Sequence, residues 1–394
     1  MKQNPVVLIV TSKFGDGHLK VSEAISQSFE SRGVQNVHVV DLFAEVHPRL
    51  NGLSRKFYLN STYLAQEFYG LLYEATRMMK PGQALGKLLH SMGKMRVLQL
   101  LEEIRPDIII HTFPYLAAAQ LVKETAAQVP IYTVMTDYVL HGRWLHPNTT
   151  KYFIATEELK QFLLAAEVPE ERIVVSGIPV RRGFSQPQPR EELMQQYGLD
   201  PARQHLLLAA GAYGVLSNIS GLIQNVLEHT ELDLIVVCGN NHKLRSVIEE
   251  AYGNHERVHI LGYTDKMHEL MAMSSCILTK AGGITLSEAI AQTLPVIVYK
   301  PLPGQEAGNA AALASRRIID VVQDEAELIS RLQQLQQQGY REDWQRRLRE
   351  VKPDSPAERI VSEAIEAFSL QHPFTMQAKQ QLKEGQVTRV HGYN

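Results

Sequence analysis

Short hydrophobic runs alternate with amphipathic segments along most of the chain. Eleven runs predict β-strands, at residues 6–11, 38–42, 107–112, 131–136, 152–155, 173–175, 205–209, 234–238, 258–261, 276–279 and 296–299. Some are apolar throughout, which is typical of strands that are covered on both faces of a parallel sheet. Helical patterns between the runs predict βαβ units. Two successive sets of such units indicate an α/β protein with two doubly wound, Rossmann-like domains that face a cleft.

Proline-rich and polar stretches mark the boundaries between these parts. We predict a first domain over residues 1–178 and a second over residues 179–354, with a proline-rich stretch at 186–189 just after the join. Ser355, Pro356 and Glu358 form a capping box with proline at the first helical position. This pattern predicts a helix over residues 355–370 that crosses back onto the first domain. The polar tail over residues 371–394 is expected to be loosely ordered.

Composition limits the kind of protein further. The 394 residues are enough for two hydrophobic cores, and 40 Lys and Arg against 42 Asp and Glu give a net charge of −2. This balance does not favour a nucleic-acid-binding protein. Cys238 and Cys276 are the only cysteines, and their apolar surroundings predict buried thiols in a reducing compartment. No apolar run reaches the roughly 18 residues that a membrane span requires, so any membrane contact should be peripheral.

The segment from Lys280 to Glu288 has the most specific pattern of the chain, because it places paired glycines between a strand and a helix. Gly282 and Gly283 allow the backbone to approach a ligand closely, and the amides of a helix start favour an anion. Glu288 follows about one turn later, where its carboxylate can accept hydrogen bonds from two vicinal hydroxyls. Phosphate and ribose together outline a nucleotide, so this segment predicts a nucleotide-sugar site.

Two other loops of the second domain follow predicted strands. The loop that contains Gly211 and Ala212 can present backbone amides to a diphosphate. Gln305 and Glu306 together offer hydrogen-bond donors and acceptors that suit sugar hydroxyls. Both loops are therefore candidates for binding the donor, although each also fits an ordinary solvated turn.

In the first domain, a glycine turn over residues 15–18 ends in Gly17 and His18 and follows the first strand. Ligands bind at the carboxyl ends of parallel strands in this architecture. The positive end of the following helix disfavours a charged imidazole, so His18 is a candidate general base for a sugar or lipid hydroxyl. Asp137, at the end of the fourth strand, is the candidate partner that fixes the histidine tautomer. A dinucleotide-binding turn would need glycine or alanine at Lys20, so that alternative is weak.

Metal chemistry has little support in the sequence. The pair Asp-x-Asp, which can hold a divalent cation against a diphosphate, is absent, and the 15 histidines lack zinc-site spacing. We therefore expect no essential metal and no cofactor. Helix starts and loop amides would stabilise a leaving diphosphate instead.

The stretch over residues 49–96 is basic, with eight Lys and Arg against two Glu, a local charge of +6. Apolar and aromatic side chains recur in it at helical spacing. Basic amphipathic helices that carry aromatics favour an anionic membrane surface. The alternative for each residue is a packed core with a solvated charged face.

Taken in order, these segments resemble a known family, the bacterial processive diacylglycerol β-glucosyltransferases. More distantly they are similar to the plant monogalactosyldiacylglycerol synthases, and both groups belong to glycosyltransferase family 28 with the GT-B fold. The similar segments are residues 15–18, 111–114, 135–137, 177–179, 210–212, 262–263, 282–285 and 303–306. They span nearly the whole chain and leave out only the tail after about Leu370.

The resemblance implies a role for each matching residue. It makes His18 the base, Glu288 the ribose ligand, and Gln305 and Glu306 contacts of the donor sugar. The diphosphate-binding helix start would consist of Gly282, Gly283, Ile284 and Thr285, and Gly262 and Tyr263 would lie near the uracil. Ala281 departs from the family, where relatives carry proline.

The sequence thus predicts an inverting, metal-independent transfer of glucose from UDP-glucose to diacylglycerol, repeated on the product to give a diglucosyl lipid. The enzyme would act peripherally on the cytoplasmic face of the cell membrane. One alternative is transfer of galactose or N-acetylglucosamine to another membrane lipid, including a polyprenyl-linked precursor. The other is a non-catalytic UDP-sugar sensor, which would have no need of His18.

Overall fold

The computed structural model describes residues 4–13, 17–46, 93–121, 129–186, 188–210 and 219–371, and it contains two parallel sheets. The strands of the first sheet are β1 (Val7–Thr11), β2 (Val37–Asp41), β3 (Ile108–His111), β4 (Ile131–Val134), β5 (Lys151–Ile154) and β6 (Ile173–Val175). The strands of the second are β7 (His205–Ala209), β8 (Asp233–Val237), β9 (Val258–Leu261), β10 (Cys276–Thr279), β11 (Val296–Tyr299) and β12 (Asp320–Val322).

Helices connect the strands in both halves. Those of the first half are α1 (Gly17–Ser31), α2 (Leu42–Val46), α3 (Lys94–Ile104), α4 (Ala117–Leu121), α5 (Glu157–Ala165) and α6 (Arg182–Ser185). Those of the second half are α7 (Arg190–Gln196), α8 (Ile219–His229), α9 (His242–Tyr252), α10 (Met267–Met273), α11 (Gly283–Ala291), α12 (Gln305–Ala314), α13 (Glu325–Gln336), α14 (Gln338–Val351) and α15 (Pro356–Gln371). Short 3₁₀ turns lie at Gly142–Trp144 and Glu170–Arg172.

The strand order places a crevice at the carboxyl end of each sheet. The first sheet runs β2-β1-β3-β4-β5-β6, and the second runs β12-β11-β10-β7-β8-β9. The order therefore reverses between β1 and β3 in one domain and between β7 and β10 in the other. Loops that follow strands on the two sides of such a reversal diverge and leave space for a ligand. The predicted two-domain α/β architecture is confirmed.

All eleven predicted strands are present, and the apolar runs of the central strands are buried on both faces, whereas the edge strands β2 and β9 are partly exposed. Ile108, Ile109 and Ile110 of β3 have no exposed surface. The strand β12, at the edge of the second sheet, was not predicted. Its sequence Asp320-Val321-Val322 is too short and too polar to stand out from a loop. Cys238 and Cys276 are buried free thiols, as expected.

The last helix, α15, crosses back onto the first domain, as predicted. Glu358 accepts hydrogen bonds from Ser28 Oγ at 2.7 Å and from Arg32 Nε at 2.8 Å, both on the α1 side of the first domain. Lys151 of β5 pairs with Glu363. The predicted capping box is wrong in one respect, because the Glu358 carboxylate binds the first domain instead of the helix start.

Two predicted segments lie largely outside the described residues. They are the tail from residue 372 and most of the basic stretch, of which residues 93–96 are described. Arg96 donates from Nε to Glu45 at 2.6 Å and pairs with Glu103 at 3.3 Å. Within the described part of the chain, no helix is both long enough and apolar enough to cross a membrane.

Candidate active site

His18 lies in the first turn of α1, at the reversal point of the first sheet. Its Nδ1 is 2.9 Å from the carbonyl oxygen of Thr112, which follows β3, and 3.1 Å from Oγ1 of Thr136, which follows β4. A carbonyl oxygen only accepts hydrogen bonds, so Nδ1 must carry the proton. In the neutral ring, Nε2 is then the atom with the free lone pair. The neutral side chain is therefore oriented so that Nε2 can accept a proton.

The surroundings of His18 keep its ring neutral. The ring meets Phe113 edge-on with centroids 4.8 Å apart, and Trp144 lies beyond at 6.4 Å. Burial against these groups lowers the pKa of His18 below its ordinary value of 6.5, and the charge of nearby Asp137 offsets only part of this effect. At neutral pH the ring is therefore unprotonated and able to accept a proton.

The predicted relationship between His18 and Asp137 is wrong in its detail. The tautomer of His18 is fixed by the Thr112 carbonyl and not by the Asp137 carboxylate. Asp137 Oδ1 instead accepts hydrogen bonds from Gln305 Nε2 and, at 3.1 Å, from Asn309 Nδ2 of the second domain. Burial raises the pKa of Asp137, while both hydrogen bonds act in the opposite direction. The carboxylate thus joins the two domains beside His18.

Asn309 was missed from the sequence, although its side chain makes three hydrogen bonds in this region. It is fully buried, and its Oδ1 accepts the backbone N–H of Tyr138 at 2.8 Å. Its Nδ2 donates to Asp137 and, at 3.2 Å, to the carbonyl of Ala281. A signal did exist: Asn309 stands one helical turn after Gln305, so the two share a face of α12. Asn309 connects both domains to the glycine loop before α11.

The start of α11 packs directly against the first domain. A Cβ atom on Gly283 would lie 2.1 Å from the carbonyl oxygen of Thr136, and one on Gly17 would lie 2.9 Å from Cδ1 of Ile284. Glycine is therefore required at position 283 for this approach. Gly282 has nothing within 4 Å of such an atom. The amino end of α11, with its positive dipole, thus lies beside the loops that hold His18.

Glu288 is buried in the second turn of α11, with 2% of its surface exposed. Among the described residues its Oε1 has no hydrogen-bond partner, and the same holds for Nε and Nη2 of Arg181. Arg181 Nη2 lies 4.0 Å from Glu288 Oε1. Burial raises the pKa of Glu288, and the positive charges of Lys20 and Arg181 partly counteract it. Buried groups of opposite charge without hydrogen bonds are typical of a site that a polar ligand completes.

Gln305 and Glu306, the predicted sugar-binding pair, contact different side chains. Gln305 points to Asp137, whereas Glu306 accepts from Lys280 Nζ at 3.3 Å. Gly304 precedes them with φ of 94° and ψ of −128°, a backbone conformation that favours glycine. This turn directs the first two residues of α12 towards the loop before α11. Gln305, Glu306 and Lys280 therefore belong to one cluster with Asp137.

The remaining residues that were predicted to bind the donor substrate are not linked to this cluster by the contacts described. Ile284 and Thr285 are half-buried in the first turn of α11. Gly262 follows the edge strand β9 beside Arg245, and the side chain of Tyr263 is 62% exposed. In the described ranges, no hydrogen bond or ring contact joins Tyr263 to His18 or α11. Gly211 and Ala212 lie outside the described residues.

Two sequence families match the chain in succession. Residues 18–180 match the family described as monogalactosyldiacylglycerol (MGDG) synthase, and residues 215–363 match the glycosyltransferase family 28 C-terminal domain. The "Processive diacylglycerol beta-glucosyltransferase" of Bacillus cytotoxicus is 38% identical over 336 residues, 85% of this chain and 86% of that protein. The protein of the same name from Bacillus thuringiensis strain Al Hakam is 34% identical over 93% of this chain and 95% of its own.

Solved structures share the fold at low sequence identity. The MurG structure from Acinetobacter baumannii is 12% identical with a TM-score of 0.59, and the match covers 91% of this chain and 99% of that one. The S. aureus MnaA–UDP structure is 17% identical with a TM-score of 0.60, covering 90% and 94% of the two chains. These similarities support the two-domain GT-B architecture.

Proposed function

This chain belongs to the family of the processive diacylglycerol β-glucosyltransferases, and we propose that it transfers glucose from UDP-glucose to 1,2-diacylglycerol with inversion at the anomeric carbon. The observation that carries the proposal is the position of His18, whose Nδ1 is bound to the Thr112 carbonyl at 2.9 Å while Nε2 is left for substrate. A base in this state, next to a helix start suited to a diphosphate, fits hydroxyl attack on a nucleotide sugar.

In the proposed reaction, Nε2 of His18 accepts the proton of the acceptor hydroxyl as its oxygen bonds to C1 of glucose. The bond between C1 and the phosphate oxygen breaks, and UDP leaves with that electron pair. Attack from the side opposite the leaving group converts the α-linked donor into a β-glucoside. The product carries new sugar hydroxyls, and one of these serves as acceptor in a second round that gives diglucosyldiacylglycerol.

On the donor side, the amino end of α11 stabilises the negative charge that develops on UDP, since its amides and dipole are already oriented. Glu288 binds the ribose hydroxyls, and its unpartnered Oε1 supports this role. Lys280, 3.3 Å from Glu306, brings a positive charge to the same loop. Because these groups stabilise the leaving group, we propose that the transfer needs no metal ion.

Closure of the two domains assembles the site, and the segment after β6 is the proposed hinge. Gly177 has φ of 81°, and a Cβ atom there would lie 2.5 Å from Pro353 of the returning chain. The two interdomain crossings are therefore in contact at this point. Contacts of α11 with Thr136 and of Gln305 with Asp137 form on closure and exclude water from the donor.

We propose that the enzyme works peripherally on the cytoplasmic face of the membrane. The basic, aromatic stretch over residues 49–96 supports this location, because basic amphipathic segments favour anionic lipid surfaces. Arg96, at the described end of this stretch, pairs with Glu45 and Glu103. The diacylglycerol acceptor would enter the first domain from this surface.

The test is transfer from radiolabelled UDP-glucose and, in parallel, UDP-galactose to diacylglycerol in mixed micelles with anionic lipid and a chelator of divalent cations. We expect labelled mono- and diglucosyl lipid from UDP-glucose. Label from UDP-galactose alone would overturn the donor assignment. Transfer only to a polyprenyl-linked acceptor would overturn the assignment of diacylglycerol as the acceptor. UDP binding without transfer to any lipid would favour a sensor.

A further inference from the structure

Three side chains that can bind a metal lie together on one face of the second sheet. His205 and Asp233 are register partners on β7 and β8, and His259 on β9 is the register partner of Ile235. Register partners share a face of a sheet, as do residues two apart on a strand. His205, Asp233 and His259 therefore project from the same face. One ligand atom from each lies within 4.8 Å of the others.

The innermost of the three is His205, which has no exposed surface. Neither of its ring nitrogens makes a hydrogen bond of ordinary geometry among the residues that the structure describes, although the backbone of Arg203 lies close enough to act on the ring. Its Nε2 is 3.9 Å from Asp233 Oδ2, too far for a hydrogen bond. A buried polar group without a partner is uncommon and calls for an explanation such as a bound ion. His259 is half-buried, so the cluster is accessible to solvent from one side.

The two oxygens of the Asp233 carboxylate face different neighbours. Its Oδ1 lies 3.3 Å from Arg203 Nε and 3.5 Å from Arg257 Nε, whereas Oδ2 faces His205. Arg257 is fixed in place, because its Nη atoms donate to the backbone carbonyls of Leu227, Thr230 and Leu232 at 3.1, 2.7 and 2.6 Å. Support of one carboxylate oxygen leaves the other oriented to bind an ion, as outer contacts do in metal sites.

From this arrangement we propose that His205, Asp233 and His259 bind a divalent transition metal of the zinc class. Two imidazole nitrogens and one carboxylate oxygen are a donor set that suits Zn²⁺, with water in the fourth position on the solvent side of His259. Zinc–nitrogen bonds of roughly 2.0–2.1 Å require the ligand atoms to approach more closely than the present 3.9 Å between His205 and Asp233. Small side-chain rotations on three adjacent strands achieve this approach.

The proposed site is separate from the active site. His205 and Asp233 are the first residues of β7 and β8, so the metal would lie towards the amino ends of these strands. The glycine loop before α11 and the loop before α12 follow the carboxyl ends of β10 and β11. A metal at the opposite end would tie three strands of the second domain together. Its effect would therefore fall on the stability of that domain, and the transfer reaction would not depend on it.

The experiment uses the full chain, freed of metal by chelation and dialysis, and titrates it with Zn²⁺ by calorimetry and by metal analysis after dialysis. We expect one Zn²⁺ per chain, a higher unfolding temperature, and no displacement by excess Mg²⁺, which prefers oxygen ligands. Loss of a residue that only supports a metal ligand weakens metal binding by ~10–100-fold. Because His259 is proposed to bind the metal directly, His259→Ala should weaken Zn²⁺ binding by more than this. Co²⁺ should give a visible absorption band that this substitution removes.

The matched control is His242→Ala, because His242 is exposed on α9 of the same domain. It should bind Zn²⁺ as the unchanged protein does. Circular dichroism verifies that each variant is folded, and His259→Gln replaces His259→Ala if the latter is not. Failure of the folded protein to bind Zn²⁺, or equal binding by the His259 and His242 variants, would overturn the proposal.

Discussion

The Nδ1 atom of His18 lies 2.9 Å from the backbone carbonyl oxygen of Thr112. The two residues follow β1 and β3, the neighbouring strands between which the order of the first sheet reverses. A backbone carbonyl does not titrate, so it holds the same tautomer at every pH at which the ring is neutral. The fold itself therefore orients Nε2, and a carboxylate is needed only to tune the charge around the ring.

Replacing His18 by alanine should lower kcat by roughly 10²–10⁴-fold, the usual contribution of a general base. The affinity for UDP should change little, because the nucleotide is expected on the second domain. Transfer assays and calorimetric titration with UDP measure the two quantities. His38→Ala is the matched control, since His38 is exposed on β2. Equal losses of kcat and of UDP affinity in His18→Ala would exclude the role as base.

The pH dependence should reflect the lowered pKa of His18. Burial favours the neutral ring, so kcat/KM should hold as pH falls to 6.5 and decline only below that ordinary value. The stability of the protein should also fall as pH falls. The reason is that His18 takes up a proton at a higher pH in the unfolded chain than in the native protein. The contribution of His18 to the free energy of unfolding therefore decreases as pH falls below 6.5. An acidic limb of kcat/KM centred above 6.5 would contradict this assignment.

Replacing Glu288 by alanine should weaken UDP binding by roughly 10–100-fold, since hydrogen bonds to a charged group contribute about 1.5–3 kcal/mol. The measurement compares the dissociation constants of UDP and of inorganic diphosphate for the unchanged protein and for Glu288→Ala. Only the former has ribose hydroxyls, so only UDP should lose affinity. Glu250→Ala, at an exposed position of α9, is the control. An unchanged dissociation constant for UDP would exclude Glu288 as the ribose ligand.

Membrane binding should depend on the basic stretch over residues 49–96. Replacing Arg55 or Lys56 by alanine should weaken binding to vesicles with anionic lipid by roughly 5-fold each, about 1 kcal/mol per residue. Sedimentation with vesicles at low and high salt measures both effects, and salt should diminish them. No loss of vesicle binding in Arg55→Ala or Lys56→Ala, or no salt dependence, would contradict the docking role.

The sequence predicted the features that depend on local pattern. Apolar runs identified eleven strands, and the glycine loop before α11 was recognised because its chemistry is contiguous in the chain. The contacts that involve Thr112 and Asn309 were not predictable in the same way. Thr112 acts through its backbone carbonyl, which any residue has. Asn309 acts through partners at positions 137, 138 and 281, which only the docking of the domains brings together.

The same distinction explains why the pattern favoured Asp137 as partner of His18. Both residues follow strands of one sheet, so proximity was a reasonable inference, and the charge of Asp137 does act on the ring. What the sequence could not show is that Gln305 and Asn309 compete for that carboxylate from the other domain. A hydrogen bond across a domain boundary depends on the relative placement of the two sheets, and no local periodicity encodes it.

Gly282 and Gly283 offer the sharpest test of domain closure, because they are adjacent but differ in their surroundings. The Cβ of Gly283→Ala would lie 2.1 Å from the Thr136 carbonyl oxygen, whereas that of Gly282→Ala would have nothing within 4 Å. Overpacking of this kind costs roughly 1–3 kcal/mol. Gly283→Ala should therefore lower the unfolding temperature and enlarge the radius of gyration measured by small-angle scattering, while Gly282→Ala should change neither. Identical behaviour of the two variants would show that the contact of α11 with Thr136 does not hold the domains together.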